Sequence, residues 1–247
     1  MKCETVNDTM ASNLSQSARS LPIARSMCWH CQSEVTGEYL CGRCIKVQPL
    51  SKDLDYFTCM KLPRRLNIDL TQLETTFYEL SRAFHPDFFS QKDETEKSIS
   101  LGNSALLNTA YRTLKDPIRR AEYLVRLEAG AAKDIRANPP ADLFEEILEL
   151  QEDLEEFDAL SPESDQERME ALRTKLEEDR RTLEQRLAQL DAALFRKFDE
   201  WDALQETEVV TDDIQTKKQR ILQELREILS NRTYVRNILA DVVQRLS

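Results

Sequence analysis

Apolar side chains recur at steps of three and four residues through most of this chain, a spacing that places them on one face of successive α-helices. Only 4 of the 247 residues are glycine, and 32% of the residues are charged. Few glycines and long runs of Leu, Glu, Arg and Gln disfavour sheets and favour helices. The sequence therefore predicts an all-α protein.

The formal net charge of −11 argues against a nucleic-acid role, because phosphate binding needs a concentrated basic surface. No apolar run approaches the roughly eighteen residues needed to span a membrane. Residues 1–25 are predicted to form a disordered tail. Their serines, with Arg19 and Arg25, also suit a mitochondrial transit peptide, against which Glu4 and Asp8 argue. We therefore expect a cytoplasmic protein, with the mitochondrial matrix as the alternative.

Four of the six cysteines form the pattern C-x2-C-x9-C-x2-C: Cys28, Cys31, Cys41 and Cys44. Each pair offers two thiolates to one side of a tight turn, and the connector containing Gly37 and Tyr39 can return as a hairpin. The spacing predicts a zinc-ribbon-like module over residues 26–48 that holds a structural zinc ion. His30 is an alternative ligand. Two disulfides or a redox dithiol are the other interpretations, but no export signal supports the first and no βαβ pattern supports the second.

The stretch "RAFHPDFFSQ" places a His-Pro-Asp corner between two predicted helices. Asp69 is a good N-cap for the first helix, with Gln72 in the capping-box position. Pro86 disfavours helix at His85, so the first helix should end at or just before that residue. The inner face of this helix is predicted to contain Leu70, Leu73, Phe77, Leu80 and Phe84.

The second helix is predicted from about residue 93 to residue 115 and returns antiparallel to the first. Its inner face should contain Ile99, Leu106, Leu107, Ala110, Tyr111 and Leu114. The corner of His85, Pro86 and Asp87 then lies at the exposed tip of a helical hairpin. A third helix begins at Pro117, because proline favours the first turn of a helix.

Two interpretations of this corner follow from the residues alone. His85 and Asp87 resemble a general base and its orienting acid, but the neighbouring sequence indicates neither a nucleophile nor a substrate pocket. A plain turn is the other interpretation, since Pro and Asp are common turn residues. We expect no enzymatic activity.

Three segments, "DYFTCMKLP", "YELSRAFHPDFF" and "LNTAYRTLKDPIRRAEYL", resemble in order and spacing the J domain of the HscB family of iron–sulfur co-chaperones. The likeness extends from Asp55 to Gly130 and continues more weakly beyond, so we place the J domain at residues 53–130. The cysteine module resembles the N-terminal extension of eukaryotic-type members. Many J domains carry Lys after the His-Pro-Asp motif, whereas Phe88 and Phe89 follow it here, as in the eukaryotic-type members.

The resemblance implies that the corner contacts a chaperone of the HscA or DnaK type and stimulates its ATP hydrolysis. His85, Pro86, Asp87 and Arg82 are the residues to which it assigns this contact. Further basic residues either steer the partner electrostatically or are solvated surface charges: Arg64, Arg65 and Lys92.

Pro139 and Pro140 mark a boundary, after which three amphipathic segments predict an antiparallel three-helix bundle over residues 139–247. The first segment has a core stripe of Leu143, Ile147, Leu150, Leu154 and Phe157. Phe144 and Leu148 lie off this stripe beside carboxylates, where they form either an interaction patch or a wider buried face. The second segment has its stripe from Met169 to Trp201, and the third runs from about residue 213 to residue 246.

In HscB-like proteins the corresponding bundle binds the iron–sulfur scaffold IscU. The resemblance therefore assigns the client surface to Phe144, Leu148, Glu149, Glu152, Glu156 and Tyr234. Three function classes remain open: an HscB-like co-chaperone for an IscU-type scaffold, a J-domain co-chaperone for a different client, and a thiol or zinc enzyme. We also expect the cysteine module to be separable, so that removing residues 1–50 leaves chaperone stimulation largely intact.

Overall fold

A computed structural model describes residues 26–35, 39–51, 54–129, 135, 137–140, 143–161, 164–206 and 211–247. The chain forms two compact units. Unit 1 contains the described residues up to Pro63 together with Asp69–Lys115, and unit 2 contains Arg64–Ile68 and Asp116–Ser247. The predicted disordered tail, residues 1–25, lies outside the described residues. The predicted division at residues 130 and 139 remains a prediction.

Unit 1 begins with two short strands, β1 (Ser26–Met27) and β2 (Glu34–Val35), which pair antiparallel. Four helices follow in chain order: α1 (Tyr56–Cys59), α2 (Leu70–Ala83), α3 (Pro86–Phe89) and α4 (Glu94–Lys115). Helices α2 and α4 form the predicted antiparallel hairpin. Its core contains buried residues from both helices and from α1: Phe57, Leu73, Leu80, Phe84, Leu107, Ala110 and Leu114.

The start and end of α2 follow from local chemistry. The carboxylate of Asp69 accepts the backbone amides of Thr71 and Gln72 at 2.8 and 3.1 Å, which satisfies donors that have no partner inside the helix. The helix ends at Ala83, and His85 is extended ahead of Pro86. The predictions that Asp69 caps the helix and that the helix ends just before His85 are therefore confirmed.

Two details of the hairpin differ from the sequence prediction. Leu70, expected on the inner face, is 50% exposed, because it is the first residue of α2 and lies at the very end of the stripe. The corner continues directly into the short helix α3, which was not predicted. Pro86 occupies its first position, where the missing backbone N–H costs nothing and the fixed φ suits a helix.

Unit 2 contains α5 (Pro117–Ala129), α6 (Phe144–Ala159), α7 (Gln166–Gln205) and α8 (Asp212–Leu246). Ion pairs show that α6 and α8 both run antiparallel to α7. Arg168 and Lys175 of α7 pair with Glu156 and Asp153 of α6, and Asp191 and Lys197 of α7 pair with Arg232 and Glu224 of α8. Ile147, Leu150 and Leu154 pack with buried residues of α7 and α8 in one core. The predicted all-α class, with its hairpin and three-helix bundle, is confirmed.

None of the described helices is long and apolar enough to cross a membrane.

Candidate functional site

The His-Pro-Asp corner is exposed and is shaped by its own side chains. His85 caps α3: its Nδ1 accepts the backbone amide of Asp87 at 3.3 Å. The side chain of His85 is 53% exposed and that of Asp87 is 88% exposed, and Nδ1 lies 3.6 Å from the nearer Asp87 carboxylate oxygen. A corner of this kind presents an imidazole and a carboxylate outward, where another molecule can reach them.

The residue before the corner is firmly anchored. Phe84 is 1% exposed, and its carbonyl oxygen accepts the hydroxyls of Ser100 at 2.7 Å and Ser104 at 2.9 Å. Both serines belong to α4. The hairpin partner therefore satisfies a carbonyl near the end of α2 that the helix itself leaves without a donor.

The basic residues predicted near the corner fall into two groups. Arg82, in the last turn of α2, and Lys92, after α3, are exposed in unit 1 together with the corner. Arg64 and Arg65 belong to unit 2, where they pair with Glu128 at 3.2 Å and Glu206 at 3.4 Å.

The four predicted cysteine ligands converge. Their sulfur atoms all lie within 4.8 Å of one another, and Cys28–Cys44 and Cys31–Cys41 are each separated by 3.6 Å between Sγ atoms. These separations exclude a disulfide, whose S–S length is about 2.0 Å. They fit four ligands around one tetrahedral ion with metal–sulfur bonds of about 2.3 Å. His30 is not among the ligand atoms that converge here.

The two cysteine pairs have the same backbone geometry. In the first, the amide of Cys28 donates to the carbonyl of Ser33, and the residue after the second cysteine, Gln32, has φ of 56°. In the second, Cys41 donates to Lys46, and Ile45 has φ of 59°. Each pair therefore forms the tight turn that the sequence predicted. Gly37, expected in the connecting hairpin, lies outside the described residues.

Hydrogen bonds to the sulfur atoms of the cysteine cluster favour the deprotonated, thiolate form. Cys28 Sγ accepts from the side chain of Gln48 at 3.4 Å, and the Ser33 hydroxyl lies 3.2 Å from Cys41 Sγ. The bond from Ser33 and nearby backbone amides lower the pKa of Cys41 to about 6, whereas partial burial raises the pKa of Cys44 to about 12. A bound cation overrides such burial, because a coordinating thiol is deprotonated outright. The donor set fits a thiolate-binding metal ion.

The predicted client residues on α6 divide into two strips of the helix. Phe144 is 52% and Leu148 is 45% exposed, and with the exposed Glu152 they follow one another at four-residue steps. Ile147, by contrast, is 4% exposed in the core. The prediction that Phe144 and Leu148 lie off the core face is confirmed.

The remaining client candidates are placed differently. Glu149 is exposed, whereas Glu156 is half-buried and binds Arg168 of α7 through both carboxylate oxygens, each at 2.6 Å. This contact lowers the pKa of Glu156. Tyr234 on α8 is half-buried and packs against the core of the bundle. The structure therefore groups Phe144, Leu148 and Glu152 and leaves Tyr234 apart.

Sequence reasoning missed a buried polar contact in unit 2. Asp202, on α7, accepts the backbone amides of Leu66 and Asn67, and Trp201 donates its indole N–H to the carbonyl of Arg64. The available signal was an aspartate directly after the last aromatic residue of the core stripe. Nothing in the periodicity indicated that its partner lay 136 positions earlier.

An exposed His-Pro-Asp corner lies at the tip of an antiparallel helical hairpin, and a helical bundle follows it in the chain. This is the arrangement that the resemblance to a J-domain co-chaperone implies. No protein-family model matches the chain. The mouse iron–sulfur cluster co-chaperone protein HscB is 37% identical over 134 residues, which are 51% of this chain and 56% of that protein. The human HscB protein is 34% identical over 138 residues, 53% of this chain and 58% of the relative. The matches thus span little more than half the length of these curated relatives.

The crystal structure of the human co-chaperone protein HscB aligns with 89% of this chain and 98% of its own, at a TM-score of 0.59 and 27% identity. The sequence matches and this structural match support the HscB family of iron–sulfur cluster co-chaperones for this chain. The four-cysteine cluster is consistent with a eukaryotic-type member.

Proposed function

We propose that this protein stimulates ATP hydrolysis by a chaperone of the HscA or DnaK type and delivers an IscU-type iron–sulfur scaffold to it. The observation that carries the proposal is the exposed corner of His85, Pro86 and Asp87, held between two packed helices. The mouse and human relatives are iron–sulfur cluster co-chaperone proteins, which supports the same role. A J-domain co-chaperone for a different client is the alternative.

The corner acts by contact rather than by chemistry of its own. Pro86 restricts the backbone, His85 orients the turn by accepting the Asp87 amide, and the Asp87 carboxylate meets a cationic group of the chaperone. Arg82, exposed one turn before the corner, adds electrostatic steering toward an acidic surface. This division of roles needs no nucleophile and no substrate pocket.

The client surface is proposed on the outer face of α6. Phe144 and Leu148 are the apolar anchors, and Glu149 and Glu152 provide a charged rim. Glu156 and Tyr234 complete the proposed set, Glu156 with its carboxylate already oriented by Arg168.

The metal is proposed to be a structural zinc ion. Cys28, Cys31, Cys41 and Cys44 would hold it, and it would supply stability to a module that is too short to form a large apolar core. The proposed compartment is the cytoplasm, with the mitochondrial matrix as the alternative.

The test is a chaperone ATPase assay with His85→Gln and Asp87→Asn. Both changes should abolish stimulation, because each removes one of the two outward-facing polar groups of the corner. Asp87→Asn should alter the free energy of unfolding by no more than about 0.5 kcal/mol, because this side chain is exposed. His85→Gln also removes the cap of α3 and should cost about 1 kcal/mol. Asp213→Asn, which removes an exposed carboxylate from α8, is the matched control and should stimulate normally. Full stimulation by both corner variants would refute the proposed function.

A further inference from the structure

The cysteine module contacts the residue that leads into the His-Pro-Asp corner. The Tyr39 ring meets the Phe84 ring edge-on, with centroids 5.3 Å apart and planes at 81°. Phe84 is almost wholly buried, so this contact lies inside unit 1. Edge-to-face pairs of this kind are attractive beyond the area they bury.

Tyr39 is itself held in place. Its carbonyl accepts the backbone amide of Gln48 at 2.9 Å, within the module that carries the four cysteines. The backbone of Tyr39 is thus tied to the module, and its half-buried ring packs on Phe84.

Three polar contacts hold the module on α4. Asn103, 3% exposed, donates to the carbonyl of Gln48 at 2.9 Å and accepts the amide of Leu50 at 2.9 Å. Lys46 binds the buried carboxylate of Glu96 at 2.6 Å. Buried groups with such partners are costly to separate, so the module and the hairpin share one set of contacts.

Helix α4 holds the backbone of the same residue. Ser100 and Ser104 bind the Phe84 carbonyl, while Tyr39 packs on the Phe84 ring. Backbone and side chain of the residue before His85 are therefore fixed by different elements. Because His85 follows Phe84 directly, its orientation depends on both.

We infer that Tyr39 of the cysteine module, together with Ser100 and Ser104, positions the His-Pro-Asp corner through Phe84. This inference rests on the proposed function of the corner. It makes the cysteine module part of the chaperone-binding apparatus, and it replaces the expectation that residues 1–50 are dispensable for stimulation. Tyr39 and the two serines are positioning residues, since none of them belongs to the exposed corner itself.

The experiment compares three variants of the full chain by amide NMR and by chaperone ATPase titration. Tyr39→Ala removes the ring, and Tyr39→Phe keeps it. The double variant Ser100→Ala, Ser104→Ala removes the two hydroxyls of α4 that bind the Phe84 carbonyl and leaves the cysteine module unchanged. Metal content is measured for each. Tyr39→Ala and the double variant should shift the amide resonances of His85, Asp87 and Phe88. Tyr39→Phe should leave these resonances where they are in the unchanged protein.

The titration should show the signature of lost preorganisation. If the corner is correctly oriented for a smaller fraction of the time, the concentration giving half-maximal stimulation rises by about threefold while the maximal stimulation is preserved. Tyr39→Phe should titrate like the unchanged protein. If Tyr39 contributed only to stability, Tyr39→Ala would lower the free energy of unfolding without raising the half-maximal concentration at constant maximal stimulation.

Each outcome is decisive. Unchanged corner resonances and an unchanged half-maximal concentration in both Tyr39→Ala and the double serine variant would overturn the inference. If Tyr39→Ala loses its metal, the double serine variant decides alone, because it leaves the module intact. Shifted corner resonances in a protein that stimulates no chaperone would support the positioning role and reject the proposed function.

Discussion

At the scale of single residues, Asp202 shows how unit 2 binds an irregular segment. Its carboxylate accepts the amides of Leu66 and Asn67, each at 2.7 Å, and the buried Arg120 donates through Nε to the carbonyl of Leu66 at 2.8 Å. Burial lowers the pKa of Arg120 to about 10, while the carboxylates of Asp116 and Asp202 oppose that shift. Side chains thereby satisfy the backbone groups of a segment that forms no helix or strand.

We expect Asp202→Ala to lower the free energy of unfolding by about 3 kcal/mol, because it leaves two backbone amides without their acceptor. Asp199→Ala is the matched control: Asp199 accepts the exposed side-chain amide of Asn67, at 2.9 Å, and the loss of this contact should cost about 0.5 kcal/mol or less. Chemical denaturation measures both values. Equal effects of the two changes would show that the buried contact of Asp202 stabilises the fold no more than the exposed contact of Asp199.

At the scale of elements, α6 has one face that packs in the core and another that is exposed to solvent. Ile147, Leu150 and Leu154 are in the core, whereas Phe144 and Leu148 are exposed among carboxylates. Exposed apolar residues with a charged rim are typical of a binding surface.

Changing both Phe144 and Leu148 to Ala should weaken binding of an IscU-type scaffold by about 2 kcal/mol or more, since buried apolar anchors carry most of the energy of such interfaces. Calorimetric titration measures the affinity, and the melting curve of the bundle should stay cooperative. Val243→Ala removes an apolar side chain of 42% exposure from α8 and should bind the scaffold normally. Unchanged affinity of the double variant would place the client site elsewhere.

The cysteine module is the second element whose role is testable. We expect about one zinc ion per chain, because four thiolates converge within the reach of one tetrahedral ion. Cys41→Ser should reduce the zinc content sharply. Cys59→Ala, which removes a buried cysteine outside the cluster, should leave it unchanged. Metal analysis of the reduced proteins decides the matter, and an absence of zinc from the unchanged protein would contradict the assignment.

At the scale of the whole molecule, the compact units do not follow the order of the chain. Helix α5 continues directly from the hairpin region in sequence but belongs to unit 2, where Ala121, Leu124 and Val125 are at most 1% exposed. The segment Arg64–Ile68 also belongs to unit 2. A fragment cut at the predicted boundary, residue 139, therefore loses part of the core of that unit.

We expect a fragment of residues 116–247 to melt at least about 5 °C above a fragment of residues 139–247, since the longer one retains the apolar face of α5. Leu124→Ala in the longer fragment should give a melting temperature between those of the two fragments. Arg126→Ala, at an exposed position, should melt like the unchanged longer fragment. Thermal melting followed by circular dichroism measures all four proteins. Identical melting of the two fragments would show that α5 adds nothing to the bundle.

The boundaries of α2, the faces of α6 and the grouping of the cysteines in pairs could be predicted from the sequence, because each depends on residues a few positions apart. Asp69 caps α2, Pro86 ends it, and the 3.6-residue period separates Phe144 and Leu148 from Ile147. Spacing within each C-x2-C pair likewise determines a turn that directs both sulfurs to one side. Local geometry leaves few alternatives at this range.

Only the tertiary structure decided which distant groups meet. Asp202 and the amide of Leu66 are 136 positions apart, and Ser100 and the carbonyl of Phe84 are 16 apart. A buried carboxylate or carbonyl accepts whichever donor packing brings to it, and no periodicity specifies that donor. For the same reason, the contact between Tyr39 and Phe84 became visible only once the cysteine module was folded against α4.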